Sequence, residues 1–221
     1  MESINFNKYL IVGTGPSVQR VSKYDFQQVN DDVIIVSVNS SILFLPKADI
    51  WFTLDDSFRN KKYAEIAYQN GIPVVMALDL NANSLKNKPY YFLNRRSKPK
   101  YLKRNYPETP EGWFARWGCM GGLSEDTKII HSGNSLAGAL NLVYFDRPKK
   151  VGLLGLDGSL ERSVGGGHHP NNLSHLPVLF SSYKEQLDKN NIEVRNGSPN
   201  SSVQCFDRCK PRELIKWINS E

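Results

Sequence analysis

Short, almost wholly apolar runs alternate with helix-length stretches along this 221-residue chain, and most of them stop at a cluster of small polar residues. Tyr9-Leu10-Ile11-Val12 stops at Gly13-Thr14-Gly15-Pro16-Ser17. Val33 to Val38 is nearly all β-branched and stops at Asn39-Ser40-Ser41. Asp49 to Leu54 stops at Asp55-Asp56-Ser57, and Pro73 to Ala77 forms a fourth run. Ile129-Ile130 precedes Ser132-Gly133-Asn134-Ser135, and Val151 to Leu156 precedes Asp157-Gly158. Runs without polar alternation suit strands buried on both faces, as in a parallel sheet. Between them, helices are predicted over Ser17–Gln27, from a cap at Asp56 or Ser57 to Gln69, over Leu136–Phe145, over Leu176–Leu187 and over Pro211–Ile218. Ile192 to Val194 is a last short strand. Strand–helix alternation of this kind predicts an α/β class: a Rossmann-like, doubly wound parallel sheet in one domain spanning 1–221.

The alternation breaks between about 81 and 128. That segment clusters Pro, Lys, Arg and aromatic residues around one strand-like run, Tyr90-Tyr91-Phe92-Leu93. It is too long for an ordinary connection and is expected to be a lid or inserted subdomain. Elsewhere the pattern has a chemical consequence. Ligands on doubly wound sheets bind at the carboxyl ends of the strands, and the polar clusters all fall there. Gly13 to Ser17 reads as a loop whose backbone approaches a phosphate at a helix N-terminus. The alternative is a tight structural turn after the first strand. A third small residue, which a dinucleotide fingerprint would place at Val18, is absent, and so is a Gly-Lys-Ser/Thr loop.

Composition narrows the classes. Apolar residues are 40% and charged residues 23%, as in globular proteins. No run of 18 apolar residues predicts a membrane-spanning helix, and the polar start predicts no signal peptide. Three cysteines (Cys119, Cys205 and Cys209) lack the spacing of a zinc site and fit a reducing, cytoplasmic location. The net charge of +6 is concentrated. Residues 86–118 hold nine Lys or Arg, among them Arg95 and Arg96, against only Glu108 and Glu111. A localised basic patch calls for an anionic partner. Its interleaved Tyr90, Tyr91, Phe92, Tyr101, Tyr106, Trp113, Phe114 and Trp117 fit a nucleic-acid groove, a lid over an anionic glycan, or a solvated lid with its own aromatic core.

Five motifs, IVGTGPSV, VNSS, HSGNSLAGALNLVYF, KKVGLLGLDGS and IEVRNGSPNSS, occur in that order. In them the chain resembles the single-domain bacterial sialyltransferases, and also the related archaeal 6-hydroxymethylpterin pyrophosphokinases and uncharacterised phage and bacterial proteins of that fold. The resemblance covers most of the chain except its basic middle. It implies a CMP- or UDP-sugar donor in the cleft and inverting transfer to an acceptor hydroxyl. Gly13, Thr14, Gly15, Pro16 and Ser17 would then contact donor phosphate and ribose. Asn39 and Ser40 would hold base or sugar. Ser132, Gly133, Asn134 and Ser135 would line the phosphate, and Gly155 and Asp157 would frame the nucleoside. Ser198 and Asn200 match an element beside the active site.

The family's general base is a His in the loop before the late helix, where this chain offers His168, His169 and His175. His168 or His169, after three glycines, is the expected base, and a neutral imidazole suits that role. The chain departs from the family in two places. No Tyr follows the Gly-x-Asp strand end, so Arg162 is expected to neutralise the leaving phosphate, with Asp157 alongside. Asp55 and Asp56 add acid that could hold Mg²⁺ or Mn²⁺, contact the acceptor with Arg95 and Arg96, or simply cap a helix. The acceptor is expected to be anionic, a glycan or a hydroxymethylated DNA base. The alternatives are an ATP/Mg²⁺ pyrophosphokinase and a nucleotide-binding module without catalysis.

Overall fold

The computed structural model describes residues 6–45, 47–78, 90–98, 106–131, 133–159 and 173–221. Among them nine strands form one sheet: β1 (Lys8–Val12), β2 (Val33–Val38), β3 (Ile50–Thr53), β4 (Val74–Leu78), β5 (Tyr91–Arg96), β6 (Ile129–His131), β7 (Lys150–Leu154), β8 (Glu193–Asn196) and β9 (Asp207–Arg208). Their order is β6-β5-β4-β3-β2-β1-β7-β8-β9, and every pair is parallel. The chain builds outward from β1 in one direction as far as β6, then returns to β1's other side with β7. The order therefore reverses between β1 and β7, which puts the crevice of a doubly wound sheet at their carboxyl ends.

The helices are α1 (Lys23–Gln27), α2 (Phe58–Gln69), α3 (Pro110–Arg116), α4 (Ser135–Tyr144), α5 (Leu176–Ser181), α6 (Lys184–Lys189) and α7 (Pro211–Asn219). Side chains alternate across a strand, so β1 feeds two cores. Tyr9 and Ile11 join Leu136, Leu140 and Val143 of α4 and Leu179 and Phe180 of α5. Leu10 and Val12 join Phe26 of α1 and Leu214, Ile215 and Ile218 of α7. Farther along that second face, Trp51 and Met76 pack under Ala64 and Ala67 of α2. Both faces are covered, which is why the strands read as unbroken apolar runs. No described helix is long and apolar enough to cross a membrane.

Three elements differ from the sequence expectations. Ser17–Gln27 is not one helix: a 3₁₀ turn over Pro16–Arg20 ends at Val21, and α1 starts afresh at Ser22. There the Ser22 hydroxyl takes the Asp25 N–H while the Asp25 carboxylate takes the Ser22 N–H, a reciprocal cap that restarts the helix. The late amphipathic helix likewise splits into α5 and α6. Ser182 Oγ donates to the Leu179 carbonyl at 2.6 Å, and the fully buried Tyr183 occupies the break. β9 was not anticipated; two exposed residues carry no hydrophobic signal. The expected lid segment contributes β5 to the sheet, paired between β4 and β6, and α3.

Candidate functional site

An all-parallel sheet carries the ends of all its strands on one edge, so the polar clusters after β1, β2, β3, β6, β7 and β8 share that edge. The loops after β1 and β7 are in direct contact. Gly13 N–H donates to the Leu154 carbonyl at 2.7 Å and Gly15 N–H to the Gly155 carbonyl at 3.2 Å. Ser17 N–H lies 3.2 Å from both carboxylate oxygens of Asp157, and Ser17 Oγ donates to one of them at 2.8 Å. Ser17 Oγ also accepts from Gly155 N–H at 3.1 Å. From the other side, the Ser198 hydroxyl donates to Asp157. The N–H expected to meet a donor phosphate thus meets the protein's own carboxylate. A second anion 4 Å from that carboxylate would be repelled by about 4 kcal/mol at an effective dielectric of about 20.

The glycines of this loop follow from the same contact. A Cβ at Gly15 would sit 2.2 Å from Asp157 Oδ2 and 2.5 Å from the Gly155 carbonyl. A Cβ at Gly155, where φ is +82°, would sit 2.8 Å from Gly13 C and 3.1 Å from Gly15 N. Ser198 is held in turn by Asn196, a fully buried residue whose Oδ1 accepts Ser198 N–H at 3.2 Å and whose Nδ2 donates to the Leu156 carbonyl at 3.2 Å. Asn200, two residues beyond, is exposed.

At the end of β2, Asn39 takes a left-handed conformation (φ +55°), which Asn tolerates better than most residues. Trp51 Nε1 donates to its carbonyl at 2.7 Å. Thr53 Oγ1 accepts from Asp55 N–H at 3.1 Å and from Asn60 Nδ2 at 3.0 Å, and its own proton goes to Asn39 Oδ1 at 2.7 Å. Thr53 thereby takes the oxygen of the Asn39 amide and leaves the amide's NH₂ end as its donor side. Ser41 Oγ accepts from Val38 N–H and bonds the Ser37 hydroxyl, closing the turn that carries half-buried Ser40.

The remaining expected residues divide between structural tasks and exposed positions. Asn134 caps α4 by accepting Leu136 N–H at 2.8 Å, Ser135 opens that helix, and a Cβ at Gly133 would meet Leu179 at 2.6 Å. The α4 N-terminus carries the partial positive charge of a helix end. Asp55 accepts Ser57 N–H at 2.9 Å and also meets Asn60 Nδ2 at 3.3 Å, so it serves the start of α2, whereas Asp56 is exposed. Among the described residues no group of three or more His, Cys, Asp or Glu is placed to hold a metal ion. Arg95 reaches from β5 to the Leu54 carbonyl at the end of β3, at 2.5 Å, and Arg96 is exposed. Thr14 and Pro16 are both half-buried in the β1 loop. Ser132, Arg162, His168 and His169 lie outside the described residues. His175, the third histidine of that region, is only 2% exposed at the start of α5. His131 is half-buried with Nδ1 2.8 Å from the Gly122 carbonyl.

The aromatics of the basic segment split. Phe114 and Trp117 pack against the main core. Trp113 stacks on Trp117 with Arg116 over its ring, 4.4 Å from the centroid. Tyr91 and Phe92 of β5 remain exposed, at 66% and 40%. Sequence reading passed over Thr53, Asn60 and Asn196. Thr53 and Asn196 are polar residues inside strands and Asn60 is a polar residue on the buried face of α2, and at each only a buried hydrogen bond offsets the desolvation. No protein-family model, curated protein or solved structure matches the chain.

Proposed function

We propose that the chain is a glycosyltransferase that moves a sugar from a nucleotide-sugar donor to an acceptor hydroxyl. One observation carries the reading. The motifs in which the sequence resembles the single-domain bacterial sialyltransferases (Gly13–Ser17, Asn39, Gly133–Ser135, Asp157 and Ser198–Asn200) all fall at the carboxyl edge of one parallel sheet, around its β1/β7 reversal. In this reading the donor lies along that edge. His168 or His169 takes the acceptor proton as the hydroxyl attacks the anomeric carbon, and Arg162 meets the departing phosphate. The acceptor is anionic and lies toward β5, whose carboxyl end carries the exposed Arg96; hydroxymethylated DNA and acidic glycans are its two candidates.

The test is donor turnover. The protein is incubated with CMP- and UDP-sugars, with and without Mg²⁺, and release of nucleotide is followed. Release from one sugar donor, increased by an acceptor, supports the reading. Turnover of ATP alone, dependent on Mg²⁺, replaces it with a pyrophosphokinase. Binding without turnover of any donor leaves a nucleotide-binding module.

A further inference from the structure

The β1 loop is glycine-rich in the way that phosphate loops are, yet the N–H groups of Gly13, Gly15 and Ser17 are already accounted for. Gly13 and Gly15 N–H groups donate to carbonyls at the end of β7. Pro16 has no N–H. Ser17 N–H and Oγ both go to Asp157, whose carboxylate lies where a Cβ on Gly15 would have to stand, 2.2 Å away. Ser198 holds the same carboxylate from the β8 side. Three chain segments that meet at the sheet's reversal point thus close around one internal anion. Asp157 belongs to the strand-end loop of β7, so the anion comes with the fold.

From this we infer that Asp157 is the resident anion of the β1 loop and a specificity-determining residue. It closes the Ser17 N–H to phosphate, so a ligand at the β1/β7 reversal presents an uncharged, hydroxyl-bearing part there, the ribose of a nucleoside, and carries its phosphates elsewhere along the edge. This deepens the proposed donor site and rests on that reading for the ribose. The exclusion of phosphate rests on the loop geometry alone. Glycine at position 15 is explained by the carboxylate it accommodates and needs no phosphate in the loop.

The experiment is an amide-resolved NMR titration of the intact chain, labelled so that Gly13, Gly15 and Ser17 are followed. Inorganic pyrophosphate is the anion probe; cytidine and uridine are the uncharged probes. In the wild-type protein the Ser17 amide is expected to show no saturable shift with pyrophosphate up to about 10 mM, tenfold above a millimolar Kd. Asp157→Ala, which empties the seat, is expected to bind pyrophosphate at that amide at least tenfold more tightly. Asp157→Asn, which keeps a hydrogen-bond acceptor and so the loop contact, covers the case in which the Ala variant does not fold, and is expected to fall between the two. A saturable Ser17 shift in the wild-type protein overturns the inference. So does a variant pair in which removing the carboxylate opens no binding, because the carboxylate is then not what excludes the anion. Failure of the donor-site reading looks different: neither nucleoside perturbs any amide at the sheet edge, while the pyrophosphate arm still reports on the loop.

Discussion

Replacing Gly155 by alanine tests the contact between the β1 and β7 loops more sharply than any change to a side chain. The backbone there has φ +82°, a conformation that costs an L-residue roughly 1–2 kcal/mol. The added Cβ would also stand 2.8 Å from Gly13 C, 3.0 Å from Val18 Cγ2 and 3.1 Å from Gly15 N. Two of these three atoms are backbone, tied into the loop by the Gly13 and Gly15 hydrogen bonds, and cannot rotate away. Overpacking of this sort adds about 1–3 kcal/mol. Gly71 supplies the control: its φ is +72°, and a Cβ there meets nothing within 4 Å. Gly71→Ala should therefore lose only the conformational part, about 1–2 kcal/mol, and Gly155→Ala about 2–5 kcal/mol. For a chain of this size, each kcal/mol moves Tm by roughly 2–4 °C. Urea unfolding followed by far-UV circular dichroism reads both variants. If Gly155→Ala loses no more than Gly71→Ala, the loops are not in the contact described and the clasp on Asp157 is wrong.

Three further outcomes are expected. His168→Ala or His169→Ala should lower donor turnover by about 10² if that side chain is the base, and full activity in both single variants and the double variant would exclude both. Hydrogen bonding from Tyr144, then the Arg147 guanidinium, holds the Glu125 carboxyl below its ordinary range, so its contribution is present above about pH 4.5 and is lost as pH falls through the lowered value. The stability gap between wild type and Glu125→Gln should accordingly be widest near neutrality and close at acid pH, and a gap unchanged by pH would refute that assignment. Duplex DNA, if it is the acceptor, should bind at low salt with a log–log salt slope of about −3 to −5, made shallower in Arg96→Ala; no binding at low salt leaves a glycan or small-molecule acceptor.

The sheet was legible in the sequence because each parallel strand is buried on both faces, and an unbroken run such as Val33–Val38 has few other homes. The sheet edge was legible for a related reason, since the runs before Gly13, Asn39, Asp55, Ser132 and Asp157 each ended in polar residues. The division of labour within that edge was not legible. Asp157 is 140 residues from Ser17, and nothing local says that its carboxylate, not a ligand's phosphate, faces the Ser17 N–H. Asp55 looked like a metal ligand or a cap, and only the geometry at Ser57 and Asn60 assigns it to the helix start. The helix breaks at Ser22 and Ser182 were hidden because the apolar spacing continues across them, while hydroxyl-to-backbone bonds decide the local chain path.

The central claim, a nucleotide-sugar donor along the carboxyl edge around β1 and β7, is tested most directly by thermal shift of the wild-type protein against CMP, UDP, CMP- and UDP-sugars, and ATP with Mg²⁺. A ligand at about 100 times its Kd stabilises by about 2.7 kcal/mol, which for this chain length is a rise of roughly 5–11 °C. The account predicts such a rise with one pyrimidine nucleotide and its sugar conjugate, in the absence of metal. A rise with ATP and Mg²⁺ alone, or with none of the panel, would contradict it.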